Sequence, residues 1–123
     1  VKDVNTRIIY QPDAAALKRN MIAADIAISA GGQTLYELAR VGVPTIAIAV
    51  ADNQANNIRG WNKEGFIEFA GYWNSRSIAK EVLMAVTKLK DKKRRRRMSL
   101  AGRRLVDGKG SKRIADLLAV KSA

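Results

Sequence analysis

The sequence predicts an α/β fold, in which a small parallel sheet carries helices on both faces. Two short apolar runs, at residues 26–28 and 45–50, have the length and the Ile and Val content of buried strands. Between them, residues 33–41 repeat apolar side chains at helical spacing, and this pattern stops at Gly42 with Pro44 just beyond. Strand, helix and strand in this order form one βαβ unit of a parallel sheet.

Upstream of this unit, the chain predicts a second βαβ unit that shares the strand at 26–28. Residues 7–11, which include Ile8, Ile9 and Tyr10, have the composition of a short strand, and Pro12 closes it. Asp13 is suited to cap a helix over residues 14–23, because its side chain can accept from the first free amide groups.

Downstream, the predicted order is helix, strand, helix, basic run and final helix. A helix follows the second strand and runs to Lys63, and residues 66–70 form a further strand. The next helix begins after Ser77, and its end runs into the basic residues 92–97. A last helix begins at Ser111 and has an apolar stripe of Ile114, Leu117 and Leu118. The apolar face expected for the Ser77 helix consists of Ile78, Val82, Leu83, Val86 and Leu89.

Length and composition limit the kinds of chemistry that are open to the chain. Its 123 residues suit a single lobe over 1–123. Because no apolar run is long enough to span a bilayer and no signal-peptide pattern is present, a cytoplasmic location is expected. The chain has neither Cys nor His, which excludes disulfides, thiolate catalysis and His-based triads. We therefore predict no metal site and no cofactor.

The turn between the first two predicted strands is the strongest candidate binding site. In an open parallel sheet, ligands bind at the carboxyl ends of the strands, where a helix begins with unpaired N–H groups. Gly31 and Gly32 would let a phosphate approach those groups, Thr34 offers a hydroxyl donor, and Glu37 lies about one turn along the helix. The alternative is that the glycine pair only makes a tight turn. The motif is neither a dinucleotide fingerprint nor a P-loop.

An amide-rich segment follows the second predicted strand. Asn53, Gln54 and Asn57 offer both donors and acceptors, which suits hydroxylated ligands such as sugars. The alternative is that Asp52 or Asn53 caps the following helix while the remaining amides face water.

The positive charge is concentrated in one segment. Residues 88–113 hold 13 of the 23 Lys and Arg and 2 of the 11 acids, so they carry +11 of the net +12. Six consecutive cations at 92–97 suit one of two structures. One is the solvated C-terminal end of a helix, where cations interact favourably with the negative end of the dipole, and the other is a nucleic-acid-binding surface. Without interleaved aromatics or a recognition-helix pattern, we expect no specific nucleic-acid site, only salt-sensitive adhesion to RNA or anionic membranes.

Most of residues 7–73, together with residues 105–118, resemble a known family. The motif A-G-G-x-T-x-x-E-L from Ala30, followed by V-P-T and then D-N-Q, resembles the C-terminal lobe of GT-B nucleotide-sugar enzymes. The nearest likeness is to the UDP-sugar hydrolases of pseudaminic acid biosynthesis and spore-coat polysaccharide biosynthesis (the PseG/SpsG family). MurG, the glycosyltransferase that forms lipid II, is a more distant likeness. The resemblance implies a partial Rossmann-like sheet that binds a UDP-sugar.

The resemblance also implies roles for individual positions. Gly31, Gly32, Gln33 and Thr34 match the loop that wraps the diphosphate, and Glu37 matches the acid that holds the ribose. Asn53 matches an Asn implicated in catalysis by the hydrolases. The candidates for contact with the sugar are Gln54 and Asn57.

The chain also departs from that family. The catalytic His of the family belongs to an N-terminal lobe, and this chain has no His. We therefore expect a fragment or half-enzyme that needs a missing lobe or partner subunit for turnover. Missing strands would leave apolar edges uncovered, so self-association is expected.

Two alternative functions remain open from the sequence. One is the donor-binding lobe of a glycosyltransferase, in which an acceptor hydroxyl replaces water. The other is a non-catalytic basic module that binds nucleic acid or anionic surfaces through residues 92–97.

Overall fold

The structure, a computed structural model, describes residues 5–122, with side chains described as far as 119; residues 1–4 and 123 of the predicted lobe lie outside it. Three strands alternate with helices, and three helices follow the last strand. The strands are β1 (Ala27–Ala30), β2 (Thr45–Ala49) and β3 (Ile67–Tyr72). The helices are α1 (Ala14–Ala23), α2 (Thr34–Val41), α3 (Ala55–Lys63), α4 (Ile78–Lys88), α5 (Lys92–Leu105) and α6 (Gly110–Ser122).

The three strands form a parallel sheet in the order β1-β2-β3. Ile28 pairs with Ile46, and Ala47 pairs with Phe69 before a register shift at Ile48. The predicted α/β class with a parallel sheet is therefore confirmed, and the layout is that of a partial Rossmann-like fold.

Helices cover both faces of the sheet. Alternate residues of β2 point to opposite sides, so this strand contributes to a cluster on each face. Ala47 and Ala49 face a cluster formed mainly by α2 and α3, which includes Leu35, Ile58 and Phe66. On the other face, a second cluster contains residues of the sheet together with α4 and α5; its buried members are Ile46, Ala70, Ala85, Leu89 and Met98. The central strand is thus buried on both sides, as its continuous apolar sequence predicts.

Local capping chemistry fixes the ends of α1 and α2. The Asp13 carboxylate accepts from the amide of Ala16 at 2.7 Å, and α1 has the predicted limits. Gly42 ends α2 in the left-handed conformation, with φ 85°, and its N–H bonds back to Leu38 and Ala39. Both signals depend only on neighbours in the chain, so the sequence predicts them well.

The prediction of a strand at residues 7–11 is wrong. Residues 6–10 have no regular secondary structure, and the side chains of Ile8 and Tyr10 are 81% and 83% exposed. Within the described chain, β1 pairs only with β2, so this segment adds no strand to the sheet edge. Because its apolar side chains are not buried, little offsets the entropy cost of ordering it.

The predicted position of the basic run is also wrong. Helix α4 ends at Lys88, and Asp91 then caps a new helix by accepting from the amide of Lys93 at 3.0 Å. The basic run therefore begins α5, and its first residues lie at the positive end of the helix dipole, where cations are unfavourable. In α4, Leu83 is 67% exposed, so the predicted apolar face is correct except at that residue.

Helix α5 joins the two layers, whereas α6 packs little. Gly102 of α5 lies against the buried ring of Phe66, and Met98 belongs to the cluster on the opposite face of the sheet. In α6, Ile114 and Leu117 are each more than 60% exposed. Among the described residues, no helix is long and apolar enough to cross a membrane.

Candidate functional site

The candidate site is the turn between β1 and α2, at the carboxyl edge of the sheet. The amide of Gly31 donates to the carbonyl of Ile48 at 3.2 Å, which fixes the turn to the end of β2. Ser29, the residue before the end of β1, bonds through its hydroxyl to the Ala30 carbonyl at 3.0 Å. The turn is therefore where ligands bind in open parallel sheets.

The two glycines of this turn have different roles. Neither is among the glycines with positive φ, so backbone freedom is not the reason for either. A Cβ at Gly31 would overlap the side chain of Ile58, which means that Gly31 is required for close packing of α3. A Cβ at Gly32 would meet only the Nε2 atom of Gln54, at 3.7 Å, an ordinary contact. The absence of a side chain at Gly32 thus leaves the backbone accessible.

Helix α2 begins at this turn with a set of amide groups ahead of its first hydrogen bonds. Leu35 and Tyr36 donate to the carbonyls of Gly32 and Gln33, at 3.2 and 3.0 Å. The amides of Gly32, Gln33 and Thr34 precede those bonds, and the side chains of Gln33 and Thr34 are exposed. Because Gln33 makes no side-chain cap, the helix start has amide donors available for an anion.

Gln54 is the only predicted sugar-contacting residue that the structure brings against the glycine turn. Its Oε1 accepts from the amide of Val50 at 3.0 Å, and its Cβ lies 3.5 Å from the position that a Cβ at Gly31 would occupy. One end of this half-buried amide thus fixes the end of β2, while its Nε2 faces Gly32. Gln54 has a structural role and keeps one donor directed at the turn.

Asn53 lies on the 3-10 turn Asp52–Gln54, immediately after the end of β2. Its side chain is exposed, and it makes no hydrogen bond to another residue between 5 and 119. The predicted alternative, a side-chain cap by Asp52 or Asn53, is not formed at the 3-10 turn or at α3. The amide of Asn53 is therefore available to a ligand at the carboxyl edge.

Glu37 and Asn57 line two different grooves beside α2 rather than the glycine turn itself. Glu37 lines a groove of about 440 Å³ between α1 and α2, and Asn57 lines one of about 380 Å³ between α2 and α3. Tyr36 lines both grooves and packs edge-on against Trp61, with ring centroids 5.1 Å apart. Tyr36 was not predicted as a site residue, because an aromatic residue in an amphipathic helix ordinarily indicates core packing.

Charged side chains line a cleft at the edge of the sheet opposite the carboxyl edge. Ala24 and Pro44, which precede β1 and β2, line a cleft of about 550 Å³ together with four cations of α5. The sequence could not place this cleft, because it depends on where α5 packs. Within the described residues, no group of three or more His, Cys, Asp or Glu side chains is placed to hold a metal ion.

No protein-family model, curated protein or solved structure matches this chain. Its architecture and its candidate site therefore assign it only to a coarse class: an α/β chain with a three-stranded parallel sheet and a glycine turn at the carboxyl edge.

Proposed function

We propose that this chain is the donor-binding lobe of an enzyme that hydrolyses a UDP-sugar, and that it acts with a second lobe. The observation that carries the proposal is the helix start at Gly32, Gln33 and Thr34, where amide groups precede the first hydrogen bonds of α2. Hydrogen bonds between such groups and a charged oxygen contribute about 1.5–3 kcal/mol each. The motif resemblance supplies the identity of the ligand.

In the proposed complex, the diphosphate binds at the start of α2 and the nucleoside lies along the helix. Glu37 is three residues beyond Thr34, which corresponds to about 5 Å along a helix axis. A ribose attached to a diphosphate at the turn would therefore reach the Glu37 carboxylate. The groove beside Glu37 is also lined by Leu17 and Met21, whose apolar side chains can pack against the base.

The proposed reaction breaks the bond between the sugar and the diphosphate with water as the acceptor. The amides at the turn stabilise charge that develops on the leaving diphosphate. The exposed amide of Asn53 orients the sugar or the attacking water, and the second lobe supplies the base. Because these 123 residues contain no His, a His base would have to come from that second lobe.

The test is a titration with UDP that is monitored by amide NMR. It is carried out on the unmodified protein and on Gly32→Ala. The added methyl group meets only Gln54 Nε2 at 3.7 Å, so the fold should be retained. At the same time, the methyl group separates a phosphate from the amides, and we expect affinity to fall by about 10- to 150-fold, the effect of losing one charged hydrogen bond.

Two further variants sharpen this test. Gly60→Ala serves as the matched control, because nothing lies within 4 Å of its added Cβ and UDP binding should be unchanged. Glu37→Gln should weaken the binding of UDP more than that of pyrophosphate, which has no ribose. Saturation by UDP without shifts at residues 31–37, or equal shifts with any polyanion, would contradict the proposed site.

A further inference from the structure

The outward face of α5 presents an array of cations that the proposed donor site does not use. Met98 and Gly102 are buried against the body of the protein, so the opposite side of the helix faces solvent. Six of its Lys and Arg side chains are exposed: Lys92, Lys93, Arg96, Arg97, Arg103 and Arg104. Over 14 residues the helix is about 20 Å long, so the charges form a rigid line.

Most of these cations have no partner among the described residues. Arg94 is held by Glu68, and Arg95 donates to the carbonyls of Leu89 and Lys90 at 2.8 and 3.0 Å. By contrast, four side chains form no hydrogen bond or ion pair with other described residues: Lys92, Lys93, Arg96 and Arg97. Arg94 and Arg95 therefore make the structural contacts of the basic run, and packing does not account for the other four charges.

Two of these four charges, Lys92 and Lys93, oppose the stability of the helix that carries them. They lie in its first turn, next to the positive end of the dipole, where acidic residues are favoured. Arg96 and Arg97 follow in the second turn. Only Asp91, the N-cap, offers the favourable charge there. The preference for acidic residues at a helix start is violated here without a compensating contact. In natural proteins, violations of this kind are expected at functional surfaces.

The side chains on the exposed face of α5 indicate what kind of partner it can bind. Met98 and Gly102 hold one side of α5 against the body of the protein, so only the opposite side can contact a partner. The exposed face between Lys92 and Arg104 carries no aromatic side chain for stacking on bases. Leu100, 57% exposed, is its one large apolar side chain, whereas a helix that inserts into a membrane surface needs an apolar face. A linear array of cations that lacks side chains for stacking on bases is suited to bind a phosphodiester backbone.

We propose that the exposed face of α5 binds the phosphate backbone of double-stranded nucleic acid without reading its sequence. A duplex presents one phosphate charge per 1.7 Å of axis when both strands are counted, so the roughly 20 Å that α5 spans carry about twelve phosphates, of which those on the facing side are within reach. Neutralisation of these phosphates by Lys and Arg releases condensed counterions, which drives binding. The cleft that Lys92, Lys93, Arg95 and Arg96 form beside Asp25 gives the backbone a recessed contact.

The test measures fluorescence anisotropy of labelled DNA and RNA duplexes of about 20 base pairs, each in two unrelated sequences. We expect dissociation constants that do not depend on sequence. With about four phosphate contacts, affinity should fall about 100-fold between 50 and 200 mM salt. Binding of either duplex in this manner supports the proposal and shows whether the A-form or B-form backbone is preferred.

The variant for this test replaces Lys92, Lys93, Arg96 and Arg97 with Gln, and it should abolish most of the salt dependence. Its matched control replaces four exposed cations elsewhere, namely Lys18, Arg19, Arg76 and Lys80, with Gln. Both variants lower the net charge by four, so a specific surface predicts loss only in the first. An equal loss in both would overturn the proposal, because it would reflect net charge alone.

Two more measurements distinguish a duplex-binding surface from a membrane-binding surface and from the donor site. Vesicles that contain phosphatidylserine are titrated in parallel, and binding to vesicles without binding to duplexes would overturn the proposal in favour of a membrane surface. Gly32→Ala is titrated with duplex as well, and its affinity should equal that of the unmodified chain. Because the donor site lies at the other edge of the sheet, either proposal can fail without the other.

Discussion

Two glycines of this chain are required by packing, although they differ in their surroundings. A Cβ at Gly102 would lie 2.6 Å from Phe66 Cδ1 and 3.0 Å from the carbonyl oxygen of Ala39. The Phe66 ring is fully buried and cannot give way. At Gly31 the added Cβ would overlap Ile58, which is also fully buried. These residues set the distance of α5 and of α3 from their neighbours.

Gly102→Ala and Gly31→Ala should each lower the free energy of unfolding by about 1–3 kcal/mol, the usual cost of overpacking. Urea denaturation measures the change. Gly60→Ala is the control within a helix, since nothing lies within 4 Å of its Cβ. It should raise the free energy of unfolding by about 0.5–1 kcal/mol because alanine favours helix. Stability losses of equal size at all three positions would refute this interpretation.

Asp107 connects the end of α5 to α6 through a charged pair. Its carboxylate accepts from Arg113 at 2.7 and 3.1 Å and from the amide of Lys109 at 2.9 Å. The hydrogen bonds from Arg113, followed by the one from Lys109, lower the pKa of Asp107 from 3.8 to about 2. Arg40, which lies beside Gly108, adds a further cation nearby.

The lowered pKa of Asp107 predicts how this contact depends on pH. A carboxylate with a depressed pKa stabilises the folded state above its ordinary pKa, and the contribution is lost as pH falls from about 4 towards 2. NMR titration of the carboxyl carbon should therefore give a midpoint near 2. In Asp107→Asn, the resonances of Arg113 should no longer titrate in that range. A midpoint at 3.8 would show that the pair is not formed.

At the level of the single helix, α5 combines a favourable cap with an unfavourable first turn. Asp91 provides the cap, whereas Lys92 and Lys93 put positive charge at the positive end of the dipole. Lys92→Glu and Lys93→Glu should each raise the free energy of unfolding by about 0.3–1 kcal/mol. Thermal or urea unfolding at low salt measures this gain, which should shrink as salt is added.

The control for this prediction lies at the other end of the same helix. Arg104 is in the last turn of α5, where a cation is favoured. Arg104→Glu changes the net charge by the same amount as Lys92→Glu, yet it should destabilise the protein. If both changes stabilise it, relief of the overall positive charge would account for the result, and the dipole argument would be wrong.

Across the described part of the molecule, the edge of the sheet and the last helix are two of the places where apolar surface is uncovered. Strand β1 has a neighbour on one side only among the described strands, and its Ile28 is 54% exposed. The α6 stripe leaves Ile114 and Leu117 exposed at 62% and 64%. Unpaired strand edges and apolar stripes of this kind favour association with further chains.

Light scattering coupled to size-exclusion chromatography should therefore show self-association that increases with salt. Salt screens the repulsion between chains of net charge +12 and leaves apolar attraction in place. Ile114→Gln combined with Leu117→Gln should reduce the association, whereas Lys112→Gln should not. A monodisperse monomer of the unmodified chain at all salt concentrations would contradict this expectation.

The sequence predicted the limits of the helices better than it predicted the arrangement of the candidate site. Helices α1 and α2 were predicted closely, because Asp13 and Gly42 act on groups within a few residues. The carboxyl-edge rule for parallel sheets explains why Gly31, Gly32 and Gln54 lie at the same end of the sheet, but the contact between Gln54 and the turn was not predicted. The separation of Glu37 and Asn57 into different grooves was not predicted either, since it depends on how α1 and α5 pack against α2 and α3.

Hydrophobic periodicity and local hydrogen bonds were enough to predict the α/β class, the parallel sheet and the caps of its first helices, because these features depend on residues close together in the chain. Three other features became visible only in the folded molecule: residues 7–11 form no strand, the basic run begins a helix, and Gly31 is required to admit Ile58. The first and the third depend on groups distant in the chain, whose positions follow from packing, whereas the start of α5 is fixed locally by the Asp91 cap, which was not predicted.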